Sequence, residues 1–183
     1  MFSVTPEPPS NLALTNIRAR TVLLQFVPGF SGYTSISKWI IQAQSNSNES
    51  PSSWSVIHEA SDPTATSLTV RGLRPYTRYR LRMIAENIAN QSAPSEPTRW
   101  FETIQAEPTA PPADVSVRAY NETAIRVRWT PLAPIDWNGE QRGYRIEFTS
   151  MDPVIMSSWQ TVRVEDENAN SYMLGGLEEW TEY

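Results

Sequence analysis

No cysteine occurs among the 183 residues. That excludes thiolate zinc sites, a cysteine nucleophile and any disulfide-stapled scaffold. It leaves the compartment open, because a domain with an adequate core can be secreted without disulfides. Histidine occurs once, at His58, and lysine once, at Lys38. A single histidine supplies neither a metal cluster nor a network to orient a catalytic imidazole. With seven glycines there is little from which to build a phosphate-cradling loop, and no stretch reads as one. Long apolar runs are also missing. The longest such stretch is Val22–Val27, interrupted by Gln25, well short of the ~20 residues a membrane helix needs. Residues 1–10 hold three prolines and neither a basic leader nor an apolar stretch, so no signal peptide is read there. The expectation is a chain that is not membrane-inserted, either cytosolic or an interior piece of something longer.

Charge is unevenly spread. Residues 1–104 hold nine Lys/Arg against seven Asp/Glu, a net of +2, and residues 105–183 hold six against thirteen, a net of −7. A mildly acidic chain without a concentrated basic footprint is not a nucleic-acid binder. The acidic run Glu165-Asp166-Glu167-Asn168 lacks the one-three-five spacing and the glycine of a calcium loop, so it reads as solvated loop. No carboxylate pair stands in a recognisable acid/base arrangement. The sequence therefore predicts no catalytic residues, no metal and no cofactor.

The chain repeats itself. At an offset of 103, Val22, Leu24 and Phe26 fall on Ile125, Val127 and Trp129. At 105, Trp39, Ile41 and Ala43 meet Tyr144, Ile146 and Phe148, and Trp54 meets Trp159. At 104, Leu68, Val70, Leu73, Thr77 and Tyr79 meet Tyr172, Leu174, Leu177, Thr181 and Tyr183. A drift of two residues is what loop-length differences between two copies of one unit produce.

Each unit reads as short strands with period-two alternation, separated by turn residues such as Pro28-Gly29, Ser61-Asp62-Pro63 and Asn138-Gly139. Strands at such spacing, about seven per ~100 residues, predict an antiparallel sandwich. Its inward set is Val22, Leu24, Phe26, Trp39, Ile41, Leu68, Val70, Tyr79, Leu81 and Met83.

Three stretches of the first unit, Leu73-Arg74-Pro75-Tyr76-Thr77-Arg78-Tyr79, then Ala85-Glu86-Asn87, then Gln91–Pro97 ending in Phe101-Glu102-Thr103, resemble the E–F corner, strand F and the F–G–strand G region of fibronectin type III domains. Trp129-Thr130-Pro131, Gly143–Ile146 and Leu177–Tyr183 resemble the matching segments of a second copy. The resemblance implies an all-β fold of tandem immunoglobulin-like sandwiches. Residues 1–6 are then a tail, 7–104 the first domain, 105–110 a short proline-rich and semi-rigid connection, and 111–183 a second domain lacking most of strand F and all of strand G. Strand F is central, so its absence is expected to open a sheet edge and one side of the core. Tyr79 and Tyr183 are placed for a tyrosine corner. More narrowly, Thr34–Gln44 and Leu177–Tyr183 are similar to the Sidekick family. That resemblance implies an extracellular spacer within a single-pass cell-surface protein, with homophilic adhesion carried by other domains. The alternatives are a ligand-binding module of a guidance or phosphatase receptor and an intracellular muscle-type array.

Two kinds of surface site remain. Arg80 and Arg82 alternate with the inward Tyr79, Leu81 and Met83, and Trp100 stands beside them if Phe101 points in. These form a candidate contact patch, read either as long side chains covering a sheet face or as a weak contact for an acidic glycan or neighbouring domain. Asn48, Asn90 and Asn121 head glycosylation sequons that fall in predicted loops.

Overall fold

The computed structural model describes residues 4–47, 50–51, 53–151 and 158–183. They form two compact units, Met1–Ala106 and Glu107–Tyr183. In the first unit, β1 (Ser10–Thr15), β2 (Thr21–Val27) and β6 (Ser67–Arg71) make one antiparallel sheet in the order β1-β2-β6. The second sheet is built on β3 (Lys38–Ser47), which pairs with β7 (Arg78–Glu86) along one edge. The other edge of β3 takes β4 (Ser50–Pro51) and β5 (Ser55–Ala60). The short β8 (Phe101–Glu102) lies beyond β7.

Alternation decides which side chains fill the space between these sheets. Val22, Leu24, Phe26 and Val70 meet Trp39, Ile41, Tyr79, Leu81, Met83 and Phe101 in one buried cluster, with Leu68 half-buried at its margin. Nine of the ten residues that the alternation marks as inward are buried. Each large aliphatic side chain so placed contributes about 1.5–3 kcal/mol. Phe26 packs edge-on to Trp39 at 4.9 Å between ring centroids.

Between β7 and β8 the sequence leaves strand geometry but not the sheet. Ser92, Ser95 and Thr98 are buried while the residues between them are exposed. Their N–H groups donate to the carbonyls of Ala85, Met83 and Leu81 at 2.7–2.8 Å. Their hydroxyls accept from the N–H groups of the same three residues at 2.9–3.0 Å. A three-residue repeat is that of the left-handed polyproline helix. Pro94 and Pro97 fall at the positions that face away from β7, where no N–H is required.

Among the described residues of the expected tail and connection, Val4, Glu107 and Thr109 are hydrogen-bonded onto the units. Val4 N–H donates to Gly32 O and Glu7 N–H to Phe30 O, at 3.1 and 2.8 Å. The buried Asn87 amide donates to both Val4 O and Ser31 O. Gly32 holds φ +82° against this strap, and a side chain there would strike the Val4 carbonyl. In the second unit, the Asn138 amide donates to Glu107 O and Thr109 Oγ1, and Thr109 N–H donates to Asp136 O.

That second unit has β9 (Ala113–Asn121), β10 (Ala124–Thr130) and β13 (Ser171–Gly175) in the order β13-β10-β9. A separate pair joins β11 (Tyr144–Phe148) to β12 (Gln160–Val164). A 3₁₀ turn at Pro134–Trp137 buries Trp137 against the Tyr144 ring. Val117 pairs with Val127 and therefore shares its face. Yet Val127 is buried while Val117 is 56% and Val115 62% exposed. Among the described residues nothing covers that end of the inner face.

Both units close the same turn in the same way. Asp62 Oδ1 accepts from Thr64 N–H and Asp166 Oδ1 from Asn168 N–H, each at 2.9 Å. An aromatic group on the adjacent sheet then ties each turn down: Trp39 Nε1 donates to Asp62 O at 2.7 Å, and the Tyr144 hydroxyl to Glu167 O at 3.0 Å. The acidic run 165–168 is thus the backbone turn that Tyr144 holds.

Two outcomes are expected. Hydrogen exchange on the 183-residue chain should show slow amides in β2, β3 and β7 and much faster exchange in β9, β11 and β12; uniform protection across 107–183 would contradict the open inner face. The second outcome concerns acid. The Thr64 hydroxyl and N–H hold the Asp62 carboxyl below its ordinary range, so its contribution is present at neutral pH and is lost as pH falls through the lowered value. The gap in Tm between the parent and Asp62→Asn should therefore narrow below about pH 4. A pH-independent gap would show that the ionised form adds nothing.

Candidate functional site

From Arg78 to Met83, β7 alternates between exposed or half-buried and buried residues. Tyr79, Leu81 and Met83 enter the core, and Arg78, Arg80 and Arg82 stand on the outer face. The register with β3 puts Gln44 opposite Arg80 and Gln42 opposite Arg82. Each arginine uses its Nε–H on the facing amide: Arg80 to Gln44 Oε1 and Arg82 to Gln42 Oε1, both at 2.7 Å.

Two indoles complete the row. The Arg78 and Arg80 guanidiniums lie 5.7 and 4.9 Å from the centre of Trp100. Those of Arg80 and Arg82 lie 5.3 and 4.4 Å from Trp54. Arg80 is thus shared between both rings. Such contacts fall within the ~6 Å range of cation–π attraction and are worth about 0.5–1 kcal/mol each at exposed sites. Arg78, Arg80 and Arg82 make no ion pair among the described residues. The nearest carboxylate in register is Glu102, opposite Arg78.

The alternation and Trp100 were legible in the sequence; Trp54 and the two glutamines were not. Trp54 enters from the segment just before β5, and only the β3–β5 pairing brings it across the sheet. Gln42 and Gln44 carried a signal, since they alternate with Ile41 and Ala43 on β3. Trp159, which aligns with Trp54 in the second unit, is exposed and has no cation stacked on it among the described residues.

The remaining candidates lie elsewhere. The Tyr79 hydroxyl accepts from Arg74 N–H at 3.2 Å, and that of Tyr183 from Glu178 N–H at 2.9 Å, each reaching five residues upstream. Asn90 is exposed in the turn after β7, and its Oδ1 accepts from Gln91 N–H. Ser92 of the same sequon is buried. Asn121 ends β9 at an exposed turn, its Oδ1 accepting from Thr123 N–H at 3.0 Å. Asn48 lies outside the described residues. His58 sits half-buried on β5 opposite Ile41. No group of three or more His, Asp or Glu able to hold a metal occurs among the described residues.

A double-mutant cycle tests the stacking. Trp54→Ala combined with Arg82→Ala, followed by chemical denaturation, should give a coupling energy of about 0.5–1 kcal/mol. A coupling indistinguishable from zero would mean that the ring and cation are only neighbours.

Comparison with known proteins agrees with this architecture. The family model of the fibronectin type III domain matches residues 7–100 and 110–183. The chain is 46% identical over 183 residues to Protein sidekick of Drosophila melanogaster, covering 98% of this chain and 8% of that protein. It is 42% identical over 183 residues to Protein sidekick-2 of Gallus gallus, covering 97% and 8%. The chain thus spans less than a tenth of the length of these curated relatives. Among solved structures, the crystal structure of chicken CNTN1 FN1-FN3 domains matches with a TM-score of 0.67 at 25% identity, over 94% of this chain and 56% of that one. Fibronectin type III domains are structural modules, and the chain is not an enzyme. Two consecutive units, each with the sheet pairing and turn closures described above, place the chain in the fibronectin type III family.

Proposed function

We propose that the chain is a spacer segment from the extracellular part of a cell-surface adhesion protein of Sidekick type, holding recognition domains away from the membrane while homophilic adhesion is carried by those other domains. One observation carries the reading. Identity to Protein sidekick of Drosophila melanogaster runs through both units and the residues that join them, 46% over 183 residues, rather than marking one generic sandwich. The exposed sequon asparagines Asn90 and Asn121 suit a segment that passes through the secretory route. No helix of the described residues is long and apolar enough to cross a membrane.

A spacer is replaceable; a recognition surface is not. In a full-length adhesion protein carrying this segment, exchanging residues 7–183 for an unrelated tandem of equal length should leave cell aggregation intact. Deleting them should narrow the gap between adhering membranes measured by electron microscopy. Loss of aggregation on exchange would show that recognition lies in the segment itself.

A further inference from the structure

We propose that the outer face of the first unit is an anion receptor for a linear sulfated polysaccharide, with Arg78, Arg80 and Arg82 as its donors. This goes beyond spacing. Its biological setting rests on the extracellular reading, whereas binding in a purified system does not, so the two can fail separately.

The chemistry begins with what the arginines have already spent. The Nε–H of Arg80 is taken by Gln44 and that of Arg82 by Gln42, and each guanidinium is stacked on at least one indole. What remains is the outer Nη edge, whose paired N–H groups match two oxygens of one sulfate. A free arginine loses rotamer entropy when it closes on an anion; these two are held in place beforehand, so less is lost on binding.

The row is also linear. Alternate residues of a strand lie about 6.8 Å apart, so three cations stand in line at an even step. None has an ion-pair partner among the described residues, and Glu102 stands opposite Arg78 on the next strand. At the far end of β3, Lys38 is paired with Glu59 at 3.2 Å. The uncompensated charge is therefore centred on Arg80 and Arg82.

A protein partner fits this face less well. Protein interfaces centre on aromatic or aliphatic anchors buried in the contact, and here guanidiniums are already stacked on both indoles. Evenly spaced donors without an open apolar anchor suit a chain molecule that repeats its own charge.

The test uses the 183-residue chain and heparin oligosaccharides of defined size, with affinity measured at low and at physiological salt. Arg80→Gln with Arg82→Gln should weaken binding by about tenfold or more, and binding by the parent should fall steeply with salt. Arg80→Lys with Arg82→Lys, which keeps the charge but loses the planar fork, should lose most of the affinity as well. Arg18→Gln with Arg20→Gln, an equal charge change on a distant turn of the same unit, should bind as the parent does. Lysine variants as tight as the parent, or an equal loss in the distant control, would overturn the proposal. Poly-glutamate displacing heparin at equal charge would overturn it in favour of an acidic polypeptide. If circular dichroism shows that the glutamine pair has lost its sandwich, the lysine pair decides alone.

Discussion

Nine successive residue pairs join β3 to β7, from Lys38 opposite Glu86 to Asn46 opposite Arg78, and they set the side of the sheet on which each of these side chains lies. A slip of one residue would turn Arg78, Arg80 and Arg82 inward and expose Tyr79, Leu81 and Met83. An unpaired guanidinium in an apolar interior is far costlier than a misplaced aliphatic, so the register has essentially one solution. The outer face inherits its order from that solution. Gln42 meets Arg82 and Gln44 meets Arg80 because the core requires Ile41 and Ala43 to face the other sheet. Core and surface patch are two sides of one alignment.

The second unit repeats this logic with different atoms. Where β3 presents Trp39, β11 presents Tyr144; an indole N–H in one and a phenol hydroxyl in the other reach a turn carbonyl at 2.7 and 3.0 Å. Where β2 presents Phe26, β10 presents Trp129, packed on Tyr144 at 5.1 Å between centroids. The Trp129 indole N–H is buried without a hydrogen-bond partner among the described residues, a donor that Phe26 does not bring. What is retained between the repeats is a donor at the end of a rigid ring and a carbonyl within the turn, that of the aspartate itself in the first unit and of the residue after it in the second. The residue type supplying the donor has drifted.

Period-two alternation made the core of the first unit legible, because the rule relates neighbours in sequence and needs no knowledge of pairing. The outward arginines and Trp100 followed from the same rule. What stayed hidden depends on contacts distant in sequence. Trp54 reaches Arg82 across β3, and no local pattern links the two. Ser92, Ser95 and Thr98 do carry a local signal, a three-residue period with prolines between. That period belongs to neither strand nor helix, so the segment reads as a loop until its bonds to β7 are seen. Residues 4–6 and 107–109 read as tail and connection from composition alone. Single side chains, Asn87 and Asn138, bind them to their units.

The hydroxyl-bonded stretch beside β7 has one more consequence. A chain built of repeated sheets carries copies of similar strand edges at high effective concentration, and an open edge is a template for pairing with the wrong copy. Along 92–98 the first unit presents no such template. Each of the three residues facing β7 bonds it through two groups, its N–H and its hydroxyl, and the outward side carries Pro94 and Pro97, which have no N–H to offer. Closing the sheet with a proline-bearing segment instead of a full strand leaves that border without N–H donors at Pro94 and Pro97, a safeguard against mispairing where two similar sandwiches share one chain.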